Sequence, residues 1–222
     1  MTDDDHPEVR ATFAFLTKSL RRIADGLVDD GATAVEEATG HFEAMIPTLA
    51  YRDDPEHTMA MSSFFCSANL ALYLALRDRG VDVHDVGRAV VADFRPRPRP
   101  DLETKEQQAA EIAATRAAGE ASQKGARPGE FVFEVIDGDD ESDWGMNVTS
   151  CAICAQYSTY DAMELVPYMC SLDDVMSDAA DRGLRRTGTK ALGAHQCDFR
   201  YKDGGVPVRL AEQYPDRIRQ RT

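Results

Sequence analysis

Phe131-Val132-Phe133-Glu134-Val135-Ile136 is the stretch on which the fold class turns. Aromatic and β-branched residues crowd these positions, and Asp137-Gly138-Asp139-Asp140 follows at once as a turn, so the segment reads as a strand. The acidic turn superficially resembles a calcium loop, but the required spacing through a closing Glu is missing. Downstream, a second strand is expected over 145–149. A helix is expected over 160–180, carrying Met163, Val166, Met169, Cys170, Asp173 and Met176, with further strands near 184–192 and 197–202. Upstream the chain reads as helices. Val9, Phe13, Leu16, Leu20, Ile23 and Leu27 recur at helical intervals, and further helices are expected over 32–51, 58–79 and 83–94. The third is apolar almost all round and should be buried. The expectation is an α+β protein: a helical N-terminal part, then a small ββαββ C-terminal domain with an antiparallel sheet.

Arg95-Pro96-Arg97-Pro98-Arg99-Pro100 marks the break between the two parts, because alternating prolines forbid a helix and favour a stiff extended connector. A polar helix is expected over 102–123. The boundaries drawn are a helical region over 1–100, an α+β domain over 101–209 and a charged, peripheral tail over 210–222.

Composition narrows the function classes. The 222 residues carry a formal net charge of -14 and are 43% apolar, enough for a packed core. Such an acidic field repels phosphates, so neither nucleic acid nor an anionic membrane surface is an expected partner. Arg-over-Lys and Asp-over-Glu usage fits either a halophilic, high-salt cytoplasm or a GC-rich genome. No segment reaches the run of apolar residues that a membrane span needs, and Met1-Thr2-Asp3-Asp4-Asp5 is acidic where a secretory signal would be basic. A cytoplasmic location is expected, with a small-molecule substrate as the partner and a homo-oligomer open through the apolar third helix. Five cysteines, an odd number, argue for free thiols, ligands or a nucleophile over a disulfide framework.

The chemistry concentrates in the second half. On a helix Cys170 shares a face with Asp173 and Asp174, at offsets of three and four. On a regular strand His195, Cys197, Phe199 and Tyr201 point one way, and Gln196, Asp198 and Arg200 the other. Asp198 is then expected to pair with Arg200 or support a turn, unless His195 lies in the preceding loop and the parity fails. Cys151 follows a strand end, where a rigid element holds a reactive group at a surface. With Cys154 it makes a lone C-x-x-C pair, too little for a zinc ribbon. Two chemistries are open. A thiolate of Cys151 or Cys170 attacks, while His195 or Asp173 moves protons. Alternatively Cys170, Asp173, His195 and Cys197 hold a divalent metal, zinc or iron for such soft ligands, which activates water.

Three pieces carry a family resemblance: Asn147-Val148-Thr149-Ser150-Cys151; Glu164-Leu165-Val166-Pro167 leading to Cys170-Ser171-Leu172-Asp173; and Arg186-Thr187-Gly188-Thr189-Lys190-Ala191-Leu192-Gly193-Ala194, closing on Cys197-Asp198-Phe199-Arg200-Tyr201. In order and spacing they resemble the L-2-amino-thiazoline-4-carboxylic acid hydrolase family. The resemblance implies a hydrolase that opens a cyclic carbon–nitrogen bond of a small thiazoline-like carboxylate. It puts Cys151, Cys170, Asp173, Cys197 and Asp198 at motif positions, with His195 inside the motif, and gives Cys154 no role. Asn147 and Arg200 are the expected substrate contacts, a cationic group being needed for a carboxylate; Arg185 and Arg186 read rather as solvated surface. The rival class is a non-enzymatic domain that binds a small ligand or metal as a sensor, in which Cys197 would serve structure alone. A third possibility is thiol redox chemistry at Cys151 and Cys154.

Overall fold

The computed structural model describes residues 6–95 and 104–218. Most of the Arg95–Pro100 connector, the first two residues of the expected 102–123 helix and both extreme termini lie outside these residues. The chain is α+β, with helices throughout and one four-stranded antiparallel sheet in the C-terminal part, in the order β1-β2-β4-β3.

Two compact units are present, and their boundaries differ from those drawn on the sequence. One takes the chain up to Phe94 together with Ala152–Met169; the other takes Arg95–Cys151 and resumes at Cys170. The segment after the second strand thus returns to the helical unit. The sequence boundaries missed this because nothing in composition changes at 152.

The helical unit begins with α1 (Pro7–Asp25), α2 (Gly31–Met45), α3 (Ala60–Arg77) and α4 (Val83–Asp93). Pro7 occupies the first turn of α1, where its missing N–H is no loss, and Val9, Phe13, Leu16, Leu20 and Ile23 form the buried stripe. Asp30 caps α2 by accepting from Thr33 N–H, and Asp82 caps α4 by accepting from His84 N–H. The expected helix over 32–51 stops at Met45, and Pro47 sits in a tight turn at Ile46–Thr48. Helix α3 is buried on nearly every side from Ser63 to Leu76, as its apolar run requires.

Between Ala152 and Met169 the chain departs from the expected helix over 160–180. That helix starts only at α7 (Val166–Ala179), and an unexpected helix, α6 (Ala152–Thr159), precedes it. Asp161 takes a left-handed backbone (φ 52°) and Pro167 stands in the first turn of α7, so a single helix cannot run through. In α6 Tyr157 is fully buried and donates to the Cys66 carbonyl at 2.7 Å. Gly87 of α4 lies against the Tyr168 ring, and a Cβ there would fall 2.3 Å from its Cγ.

In the second unit, α5 (Lys105–Gly125) starts with a complete capping box between Thr104 and Gln107. β1 (Val132–Asp137) and β2 (Trp144–Ser150) form a hairpin. In its turn Asp139 accepts from the N–H groups of Glu141 and Ser142, so the acidic run serves the turn. Helix α5 lies along the open edge of β1. Ser122 accepts from Phe133 N–H at 3.1 Å, and Gln123 and Arg116 donate to the Phe133 and Val135 carbonyls. β3 (Arg182–Arg185) is shorter than the expected 184–192 strand. The chain leaves it for a loop and a tight turn at Lys190–Leu192, which Gly193 ends with a φ of 95°. β4 (Cys197–Asp203) completes the sheet. Of the tail drawn over 210–222 the described part, 210–218, forms α8 (Leu210–Gln213); Leu210 is fully buried and Ile218 is 4% exposed.

Candidate functional site

Strand parity determines which predicted residues can meet. Val148 of β2 pairs with Cys197 of β4, Met146 with Phe199 and Trp144 with Tyr201, so these share one face of the sheet. That face is the buried one: Phe133, Val135, Val148, Leu184, Cys197 and Phe199 are all under 10% exposed. Asn147 pairs with Asp198 and Gly145 with Arg200, which puts Asn147 and Arg200 on the other face. There Arg200 donates to Asn147 Oδ1 at 3.0 Å, and Asn147 donates to Glu134 at 3.0 Å. The two expected substrate contacts are therefore brought to each other and kept on the far side of the sheet from Cys197.

Cys197 opens β4, and its sulfur is well supplied with donors. Lys190 N–H points at it from 3.3 Å, and the Thr189 hydroxyl lies 3.5 Å away. The same hydroxyl donates to Cys170 Sγ at 3.8 Å. Thr189 is 1% exposed and bridges a thiol on α7 to a thiol on β4. Burial pushes the Cys197 thiol above its ordinary pKa, against the opposing pull of Thr189 and Lys190. Burial, followed by the Asp173 carboxylate, pushes the half-buried Cys170 thiol well above its ordinary value. Cys151, at the end of β2, is near enough for its charge to act on both sulfurs. All five cysteines are free thiols.

The acids of α7 converge on one cation. Arg186, just beyond β3, donates to Asp173 at 3.0 Å, to the Cys170 carbonyl at 3.1 Å, and to Asp174. Its side chain is 1% exposed and stands over the Phe199 ring at 5.3 Å. Arg186 Nε is buried with no hydrogen-bond partner among the described residues. The sequence treated Arg186 as solvated surface; the structure makes it the centre of a buried ion network. The two carboxylates differ. Asp174 is 4% exposed and also accepts from Leu210 N–H at 2.8 Å, so it ties the tail to α7. Asp173 keeps 29% of its side-chain surface open. Burial raises its pKa to about 6 despite Arg186.

Asp198 supports a turn, the second of its two expected roles. Oδ1 accepts from Thr187 N–H (2.9 Å) and Gly188 N–H (2.8 Å), and Oδ2 accepts from the Thr187 hydroxyl. This holds the loop that presents Thr189 and Lys190 to the sulfurs. His195 lies in an exposed bend ahead of β4, so strand parity does not align it with Cys197; Lys190 Nζ donates to its carbonyl at 3.1 Å. Among the described residues no three His, Cys, Asp or Glu side chains are arranged to hold a metal ion. The expected set of Cys170, Asp173, His195 and Cys197 does not fit one: Asp173 is committed to Arg186 and His195 stands in the exposed bend.

These elements define an α+β protein with clustered thiols beside a buried carboxylate–guanidinium network. The chain belongs to the L-2-amino-thiazoline-4-carboxylic acid hydrolase family, whose model matches residues 61–201 and so spans Cys151, Cys170, Asp173, Arg186, Thr189 and Cys197. No curated protein and no solved structure matches the chain. No helix among the described residues is long and apolar enough to cross a membrane.

Sequence reasoning missed Thr189 and favoured solvated surface over a site role for Arg186. Both stand in the third motif piece, so their positions were visible, but their side-chain partners lie on α7 and β4 and only folding brings them together.

Proposed function

We propose that the chain is a hydrolase that opens the ring carbon–nitrogen bond of a small thiazoline-like heterocyclic carboxylate, using Cys170 as nucleophile and Asp173 as proton carrier. The observation that carries this reading is the pairing of a half-buried thiol with a carboxyl whose pKa burial raises to about 6, three residues apart on one helix. The Cys170 thiolate adds to the amidine carbon, and Asp173 gives its proton to the ring nitrogen. The exocyclic amino group gives up a second proton as the ring bond to that nitrogen breaks, freeing an amine. Water then adds to the carbon held on sulfur. Its collapse expels the Cys170 thiolate, leaves a carbamoyl product and returns a proton to Asp173. The overall change is substrate plus one water.

The reading takes the thiols as reduced, as in a cytoplasmic setting. It routes no step through a metal, since Cys170, Asp173, His195 and Cys197 form no ligand set among the described residues. The test is turnover of 2-aminothiazoline-4-carboxylate by the purified protein, with the ring-opened product followed by mass spectrometry. Cys170→Ser is expected to abolish product formation while the melting temperature stays within about 2 °C, the scale of a sub-kcal/mol change. A Cys170→Ser protein that still opens the ring overturns the assignment.

A further inference from the structure

The thiols Cys170 and Cys197 sit on different elements, α7 and β4. What joins them is one hydroxyl, Thr189 Oγ1, at 3.8 Å from Cys170 Sγ and 3.5 Å from Cys197 Sγ. A hydroxyl has one proton to donate and two lone pairs to accept with. Since Thr189 donates to Cys170, it is left to accept from Cys197, whose sulfur in turn accepts from Lys190 N–H at 3.3 Å. The order of donation is therefore Lys190 N–H to Cys197, Cys197 S–H to Thr189, Thr189 O–H to Cys170. Reversing the hydroxyl reverses the middle of this chain.

We propose that Thr189 is the positioning residue that makes Cys170 and Cys197 one proton-sharing pair, with Cys170 the attacking sulfur and Cys197 the sulfur that takes its proton. The inference rests on the thiol reading above and adds the partner that reading lacks. In the deprotonated pair the charge rests first on Cys197, where both Lys190 N–H and Thr189 O–H can donate to it. As Cys170 attacks, its S–H bond breaks and the proton passes to Thr189 oxygen. The Thr189 proton passes to Cys197, and the negative charge moves from Cys197 to Cys170. One proton changes sulfurs and none is gained or lost. Burial suits the two thiols to these roles: Cys197 is 6% exposed, whereas Cys170 is half-buried. Asp198 supports the arrangement by fixing the Thr187–Gly188 backbone just before Thr189.

The experiment reads the sulfurs without any substrate, so it can fail separately from the hydrolase reading. Iodoacetamide alkylation of Cys170 and Cys197 is followed by peptide mass spectrometry from pH 6 to 10, in the wild-type chain and in Thr189→Val, Thr189→Ser and Cys197→Ser. Removing the bridging hydroxyl with its volume kept is expected to slow Cys170 alkylation about three- to tenfold at pH 8, the loss of one hydrogen bond to a forming thiolate. Cys197→Ser is expected to change the pH profile of Cys170, and Thr189→Ser to restore the wild-type profile. A purely structural Thr189 predicts a lower melting temperature for Thr189→Val with the Cys170 profile unmoved. Unmoved profiles in Thr189→Val or in Cys197→Ser overturn the proposal. Should Thr189→Val fail to fold, Cys197→Ser with Thr189 intact still decides it.

Discussion

Replacing Arg186 with Met tests the buried network directly. In the native chain its guanidinium, 1% exposed, answers Asp173 and Asp174, the latter 4% exposed. Met fills much of the same volume but leaves the Asp174 carboxylate in an apolar place with only the Leu210 N–H to satisfy it. Breaking a buried ion pair by removing one partner costs about 3–5 kcal/mol. At about 2–4 °C per kcal/mol for a chain of this size, melting should fall by roughly 6–20 °C at pH 8. The pH dependence has a definite sign. Burial already raises the pKa of both carboxyls, Asp173 to about 6, so the folded chain holds their protons more tightly than the unfolded one. Their charge penalty is full above that range and shrinks as pH falls through it. Without Arg186 both values rise further, so the deficit of Arg186→Met should be markedly smaller at pH 5 than at pH 8. The double variant Arg186→Met with Asp174→Asn should recover much of the loss. Thermal melts at both pH values check all three statements. A variant melting within about 2 °C of wild type at pH 8, or an equal deficit at both pH values, would refute the network as described.

Other outcomes follow from the same geometry. Gly87→Ala drives a Cβ into the Tyr168 ring and should cost about 1–3 kcal/mol, measured by urea denaturation. Asp198→Ala frees the Thr187–Gly188 backbone, and is expected to lower stability by about 1–3 kcal/mol and to cut turnover through misplacement of Thr189. With Asp173 at about 6 and both thiol values raised, kcat/KM should stay level from about pH 7 into the alkaline range, because each gain in thiolate is matched by loss of the Asp173 proton, and a steep climb would argue against Asp173 as the proton donor. Cys154→Ser should leave turnover near wild type in the same assay, since the lone C-x-x-C pair has no part in the proposed chemistry.

Much of the fold was written locally. The 131–136 run became β1 almost to the residue, and the apolar run from Ser63 to Leu76 became the buried α3, because alternation and all-round apolarity are properties of short segments. Helix α6 was not legible, since only Ala152 and Tyr157 are buried along it and so weak a stripe leaves little periodicity to find. The site was half legible. Cys170 with Asp173 follows from helical spacing alone, and the opposed faces of Cys197 and Arg200 follow from strand parity. Pairing Arg200 with Asn147 required the β2–β4 register. Arg186 was misread because an arginine pair followed by Thr187 reads as surface; its two acidic partners stand 12 and 13 residues earlier, and only the turn from α7 through β3 brings them within reach. His195 failed for a plain reason: the strand starts two residues after it, so the parity rule had no strand to act on.

The edges of the sheet carry a consequence for crowded solutions. Along β1 the side chains of α5 occupy the outward carbonyls and an outward N–H, and beside β3 the Val208 N–H is already bonded to the Leu184 carbonyl. Neither border offers a neighbouring molecule a ladder of vacant backbone groups, so growth of this sheet from chain to chain is blocked at its start. Self-association, where it occurs, must be written in side chains and can be tuned by surface substitution without disturbing the strands.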